Sequence, residues 1–150
     1  MKRIVLLLLA LAGLSLAACA PRAPDPDRFA TKFFDHGKET ILDVLKDQKA
    51  SEVQIKAASG ILERYEKTAP ADIAAAMRAQ QELMLALTSG SDSATLLKLE
   101  ANQNPLQHKA LRTIGSMHEE LASAVGADTW KATSAKLEEK YGRFFKPETK

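Results

Sequence analysis

Apolar residues recur along most of this chain at spacings of three, four and seven, the period of an amphipathic helix, and sustained strand-like alternation is missing. Phe29, Phe33, Phe34, Ile41, Val44 and Leu45 mark a first helix from Asp27 to about Lys49, entered through an Asp25-Pro26 N-cap; Gly37 within it is read as a glycine tolerated on a helix that packing holds together, with a bend or a separate short helix around Asp35-His36-Gly37 as the alternative. Ser51-Glu52-Val53-Gln54 has the form of a capping box, in which the serine hydroxyl accepts from the N3 amide and the Gln54 side chain reaches back to the serine N–H. A second helix is therefore expected from Ser51 through Ile55, Ala58, Ile61, Leu62 and Tyr65 to about Thr68, with Gly60 as a point of close helix approach. Pro70 and Asp72 open a third, carrying Ile73, Ala76, Met77, Leu83, Met84 and Leu87 and stopping near Ser89-Gly90.

Ser91-Asp92-Ser93 predicts either a short helix from Ala94 to about Ala101 or a kinked continuation of the third. Asn104-Pro105-Leu106-Gln107 repeats the capping logic and predicts a new start. From there Leu111, Ile114, Met117, Leu121 and Val125 make a stripe that Gly126 ends. A last helix is expected from about Ala127 to Phe145, with Trp130, Leu137, Tyr141, Phe144 and Phe145 apolar and Pro147 preventing continuation. The expected fold is all-α: four to six amphipathic helices joined by short connections, as antiparallel hairpins or a bundle.

The first 20 residues have a different character. Lys2 and Arg3 precede an apolar run from Ile4 to Leu11 that is too short to cross a hydrocarbon core of about 30 Å. This pattern predicts a secretory signal peptide over 1–18. Leu16-Ala17-Ala18-Cys19 resembles the lipobox of bacterial lipoproteins, which implies cleavage between Ala18 and Cys19 and a diacylglycerol and N-acyl lipid on the Cys19 thiol. Two or more acyl chains anchor stably where one does not. In that family the residue after the cysteine sorts between membranes, and Ala20 is not the aspartate associated with inner-membrane retention. The resemblance implies a lipid-anchored envelope protein, at the outer membrane and facing the periplasm.

Cleavage changes the charge. The chain has 21 basic and 19 acidic side chains; loss of Lys2 and Arg3 leaves 19 of each, so the expected mature protein of 132 residues carries no net charge. That argues against nucleic acid, whose phosphates call for a basic face. Cys19 is the one cysteine, which excludes an intrachain disulfide. Residues 19–26 hold the lipid site and three prolines, and at about 3.1 Å per residue such a tether spans roughly 20 to 25 Å. The helical domain is placed at 27–146 and a frayed tail at 147–150.

Catalytic signatures are missing: there is no Gly-x-Ser-x-Gly elbow and no glycine-rich phosphate loop, and the chain is not read as an enzyme. His36, His108 and His118 are ten or more positions apart, which provides no shared helical face for a metal. Met77, Met84 and Met117 have the softness of a copper(I) site, but methionine at helical spacing is ordinary core filling, and neither a metal nor another cofactor is assigned.

With the helices placed, Ala50-Ser51-Glu52-Val53-Gln54 resembles the Leu-Thr-x-x-Gln motif of the Spy and CpxP superfamily of periplasmic proteins, with Ser51 for the threonine and Gln54 retained. A second copy opens the last helix in that family, where this chain has Val125-Gly126-Ala127-Asp128-Thr129; Ala50 replaces the leucine of the first motif and Thr129 the glutamine of the second. The resemblance, over about 35–145, implies a thin, curved homodimer that shields unfolded clients without ATP or serves in envelope or metal stress. It makes Met77, Leu83, Met84 and Met117 candidates for adaptable client contacts. Its members are mostly soluble, so a lipid anchor departs from the pattern. The competing expectation is a lipoprotein accessory or inhibitor with one dedicated envelope or toxin partner, and a metal-stress binder is the third.

Overall fold

The computed structural model describes residues 24–141, and within them the chain is all-α, with five helices. The signal peptide, the Ala18–Cys19 bond, the lipid site and the expected extension to Phe145 with its tail lie outside the described residues. Helix α1 is Pro26–Asp47, α2 Glu52–Tyr65, α3 Ala69–Thr88, α4 Ser93–Val125 and α5 Ala127–Tyr141. Among the described residues no helix is long and apolar enough to cross a membrane.

The ends follow from local chemistry. Asp25 caps α1, its carboxylate accepting from the Arg28 amide at 2.8 Å ahead of Pro26. Asp92 caps α4 in the same way through the Thr95 amide at 2.9 Å. Helices α1 and α3 both stop in a Schellman motif, in which the chain turns through a left-handed residue and returns two amides to the last carbonyls. In α1 the left-handed residue is Lys49, φ 57°, with Ala50 N–H on Leu45 O; in α3 it is Gly90, φ 73°, with Ser91 N–H on Ala86 O. Helix α2 stops three residues before α3, whose first turn contains Pro70, a residue unable to continue a preceding helix.

Polar pairs between helices set their directions. Asp27 meets Arg78 at 2.5 Å and Lys38 meets Glu66 at 2.6 Å, so α1 runs antiparallel to the consecutive α2 and α3. Gln54 meets Val125, Tyr65 meets Glu120 and Asp72 meets Lys109, so α4 runs antiparallel to them as well. The molecule tapers along its length. At one end α1, α2, α4 and α5 enclose the larger core of Phe34, Ile41, Leu45, Leu62, Leu121 and Trp130, with Met117 and Val125. In the middle α1, α3 and α4 enclose a smaller one around Ala30, Ile73, Ala74 and Met77. Beyond Gln81, where Pro24 lies alongside, α1 has ended, and α3 and α4 continue alone as a two-helix arm that turns at Gly90.

Three local expectations are corrected. Neither a separate Ala94–Ala101 helix nor a kinked continuation of α3 exists: that segment is the start of α4, which runs through Asn104 and Pro105 for 33 residues, about 50 Å. Proline removes one helical hydrogen bond, but α3 packs along α4 more extensively than any other pair of helices, and that packing outweighs the local preference. As expected of a glycine on a helix held by its packing, α1 passes through Gly37 without a break. Gly60 is not a point of close approach, because a Cβ there would have open space around it. Leu87 belongs to the helical stripe but is exposed, at the arm's end.

An exposed proline inside a helix costs about 3 kcal/mol relative to alanine, partly offset by its stiffening of the unfolded chain. Pro105→Ala should therefore stabilise the protein by about 1 to 3 kcal/mol, measured as a higher denaturant midpoint at unchanged slope.

Candidate binding surface

The two motif segments meet. Ser51 N–H donates to Gln54 Oε1 at 2.8 Å and Gln54 N–H donates to Ser51 Oγ at 3.3 Å, which closes the capping box at the start of α2. The acceptor oxygen of Gln54 is thus committed to the cap. Its amide nitrogen points the other way and donates to Val125 O at 2.5 Å, the last carbonyl of α4. One side chain therefore starts one helix and ends another 71 positions away.

Gly126 alone separates α4 from α5, at φ 88° and ψ 143°, a conformation that a Cβ makes costly. It serves both helices: it follows the last residue of α4, and its carbonyl accepts from Trp130 N–H at 2.9 Å to begin α5. Thr129, half-buried, lends its carbonyl to the buried Thr133 hydroxyl at 2.8 Å, so the second segment makes backbone contacts rather than a second side-chain cap. Trp130 packs into the larger core, its ring edge-on to His118 with centroids 5.2 Å apart. Burial there holds the His118 imidazole below its ordinary pKa.

A second polar cluster braces the join between α2 and α3. Asp72 accepts from Lys109 Nζ and Thr113 Oγ1, both at 2.8 Å. Burial alone would raise its pKa; the two donors and the Lys109 charge outweigh that and hold the carboxyl below its ordinary value. Tyr65 O–H donates to Glu120 at 2.8 Å while Arg64 pairs with the same carboxylate, and Tyr65 is raised above the usual phenol value by burial first and by this hydrogen bond second. An open groove beside them is lined by Tyr65, Thr68, Asp72, Lys109, Thr113 and Ser116. His36 and His108 are exposed on different helices, and among the described residues no three His, Cys, Asp or Glu side chains converge as metal ligands.

The four candidate contact residues separate into two pairs. Met77 is buried in the smaller core and Met117 in the larger, so neither presents a surface to a client. Leu83 and Met84 are half-buried on the arm. Three leucines that the sequence did not mark as contact candidates, Leu85, Leu87 and Leu97, are exposed by 69%, 51% and 66%, all within two turns of the Gly90 bend. Phe33, also exposed, stacks on Phe29 at 6.0 Å beside the base of the arm. Val53, exposed by 78%, lies apart from them on the first turn of α2, and the three leucines grouped at the arm's end make the candidate interaction surface.

No family model matches the chain, and comparison with the curated proteins and with the solved structures gives no match either.

The double use of Gln54 yields a graded test. Gln54→Ala leaves the Ser51 hydroxyl on the backbone N–H of residue 54 but removes the return bond from Ser51 N–H and the bridge to Val125, and should cost about 2 kcal/mol, at about 1 for each hydrogen bond. Gln54→Glu keeps a cap acceptor and loses the donor to Val125, so it should be destabilising at neutral pH. Relative to the parent chain it should recover below about pH 4, where a protonated carboxyl donates again; urea melts at pH 7 and pH 3.5 read the difference.

Proposed function

We propose that this chain is a lipid-anchored helical binding protein of the cell envelope, similar in kind to the Spy and CpxP proteins, holding apolar segments of other proteins without catalysis. The observation that carries it is the arm: α3 and α4 extend past α1 with Leu83 and Met84 half-buried and, among the described residues, no third helix over them. Leucine and methionine on an open helical flank accommodate unlike apolar partners, since methionine is flexible and polarizable. The hydrogen bond from Gln54 to Val125 supports the kinship, because it joins the segment resembling the first Leu-Thr-x-x-Gln motif to the segment resembling the second. The lipobox-like Leu16-Ala17-Ala18-Cys19 supports the anchor, and Ala20 after the cysteine supports a position on the periplasmic face of the outer membrane.

A dedicated partner, as for an accessory or inhibitor lipoprotein, is the second reading, and the same arm serves it as a single docking element. Stoichiometry separates the two. The domain from Ala20 to Lys150 should suppress aggregation of two unrelated unfolding proteins at a few-fold molar excess, and Met84→Glu should weaken that suppression while leaving the melting temperature within about 2 °C, since its side chain is only half-buried. No suppression at any excess would contradict client shielding and leave the single-partner reading.

A further inference from the structure

We infer that the tip of the arm, Leu85, Leu87 and Leu97, rests in the interfacial layer of the membrane that holds the anchor. The inference rests on the lipid-anchor reading above and names a second contact that the anchor brings about. The arm and Pro24, the first described residue, lie at the same end of the body: Gln81 Nε2 donates to Pro24 O at 3.3 Å, and α3 runs on from Gln81 past the start of α1. From Gln81 to the Gly90 bend the arm projects about 13 Å at 1.5 Å per helical residue. From Cys19 to Pro24 the extended chain covers about 15 Å at roughly 3.1 Å per residue. The two lengths match, so an arm pointing down the tether meets the lipid surface.

The opposite orientation is out of reach. Helix α1 has 22 residues, about 33 Å, so a tether of half that length cannot carry back along the body and turn its far end to the membrane. The molecule either stands on its arm or lies along the surface, and both place the tip near lipid. The chemistry of the tip fits shallow contact: three leucines surround a bend of Ser89, Gly90, Ser91 and Asp92, too polar to enter the hydrocarbon. Glu82, Asp92 and Glu100 outnumber Lys98, which fits a zwitterionic surface rather than an anionic one. Leu83 and Met84, half-buried on α3 where the tip leucines are exposed, remain for protein contact.

The test uses the whole lipid-bearing chain in vesicles of phosphatidylethanolamine and phosphatidylcholine. Since Cys19 is the one native cysteine and acylation blocks it, Leu97→Cys places a single polarity-sensitive fluorophore at the tip, and Lys131→Cys, exposed on α5, serves as the reference. Brominated acyl chains should quench the tip label about two-fold, with a blue shift, and leave the reference unchanged, as expected for burial within 5 to 10 Å of the headgroup boundary. Adding Leu85→Glu and Leu87→Glu should abolish the quenching while the chain stays helical and attached to the vesicles. An acylated chain whose tip label behaves like the reference overturns the tip contact and leaves the anchor standing. A mature chain whose mass shows no acyl group overturns both. Equal shielding of the tip label in detergent, with the mass of a dimer, assigns the leucines to a second copy and also overturns the lipid contact.

Discussion

Pro105 offers no N–H to the carbonyl one turn before it, yet α4 runs unbroken from Ser93 to Val125, and α2, α3 and α5 all dock along it. That continuity is the constraint from which the remaining shape follows. A 33-residue helix is longer than α1 by half, so α1 can cover only part of the α3–α4 pair. The uncovered part is the arm. Had α4 been interrupted at Asn104, as the capping pattern there suggests, the segment before it could have folded back over α3 and buried the leucines that now face outward.

The taper distributes stability unevenly. At the broad end the buried side chains of Leu45, Leu62, Leu121 and Val125 come from three helices, with Trp130 from a fourth, and Gln54 locks the start of α2 to the end of α4. Each such leucine buried from water contributes about 1.5 to 3 kcal/mol. At the narrow end no side chain from Glu82 to Glu100 is buried, and the arm is the part able to open locally at low cost. A binding element on a stable support is the economical arrangement for a protein that works by contact rather than by chemistry, and the lipid anchor proposed at Cys19 would set where that contact is made.

Much of this was legible in the residues. The helical period, the Asp25 and Asp92 caps, the Ser51–Gln54 box and the Gly126 break depend on neighbours within four positions, and each forms as local chemistry dictates. What could not be read was non-local. Asn104-Pro105 looks like a helix start, and only the packing of α3 across it decides otherwise. Met77 and Leu87 occupy the same apolar stripe, but one is buried and one exposed, because α1 begins beside Gln81 and covers only the first. The second use of Gln54, as donor to a carbonyl 71 residues on, has no sequence signature beyond a glutamine in place of the commoner glutamate.

The continuity of α4 can be measured directly. Spin labels at Lys98 and Glu119, both exposed and on either side of Pro105, are 21 residues apart, about 32 Å along an unbroken helix. In a Cys19→Ala background a dipolar distance measurement should give one narrow distribution near that value. A broad distribution, or one centred below about 25 Å, would mean that the helix breaks at Pro105 and would remove the arm on which the proposed functions depend.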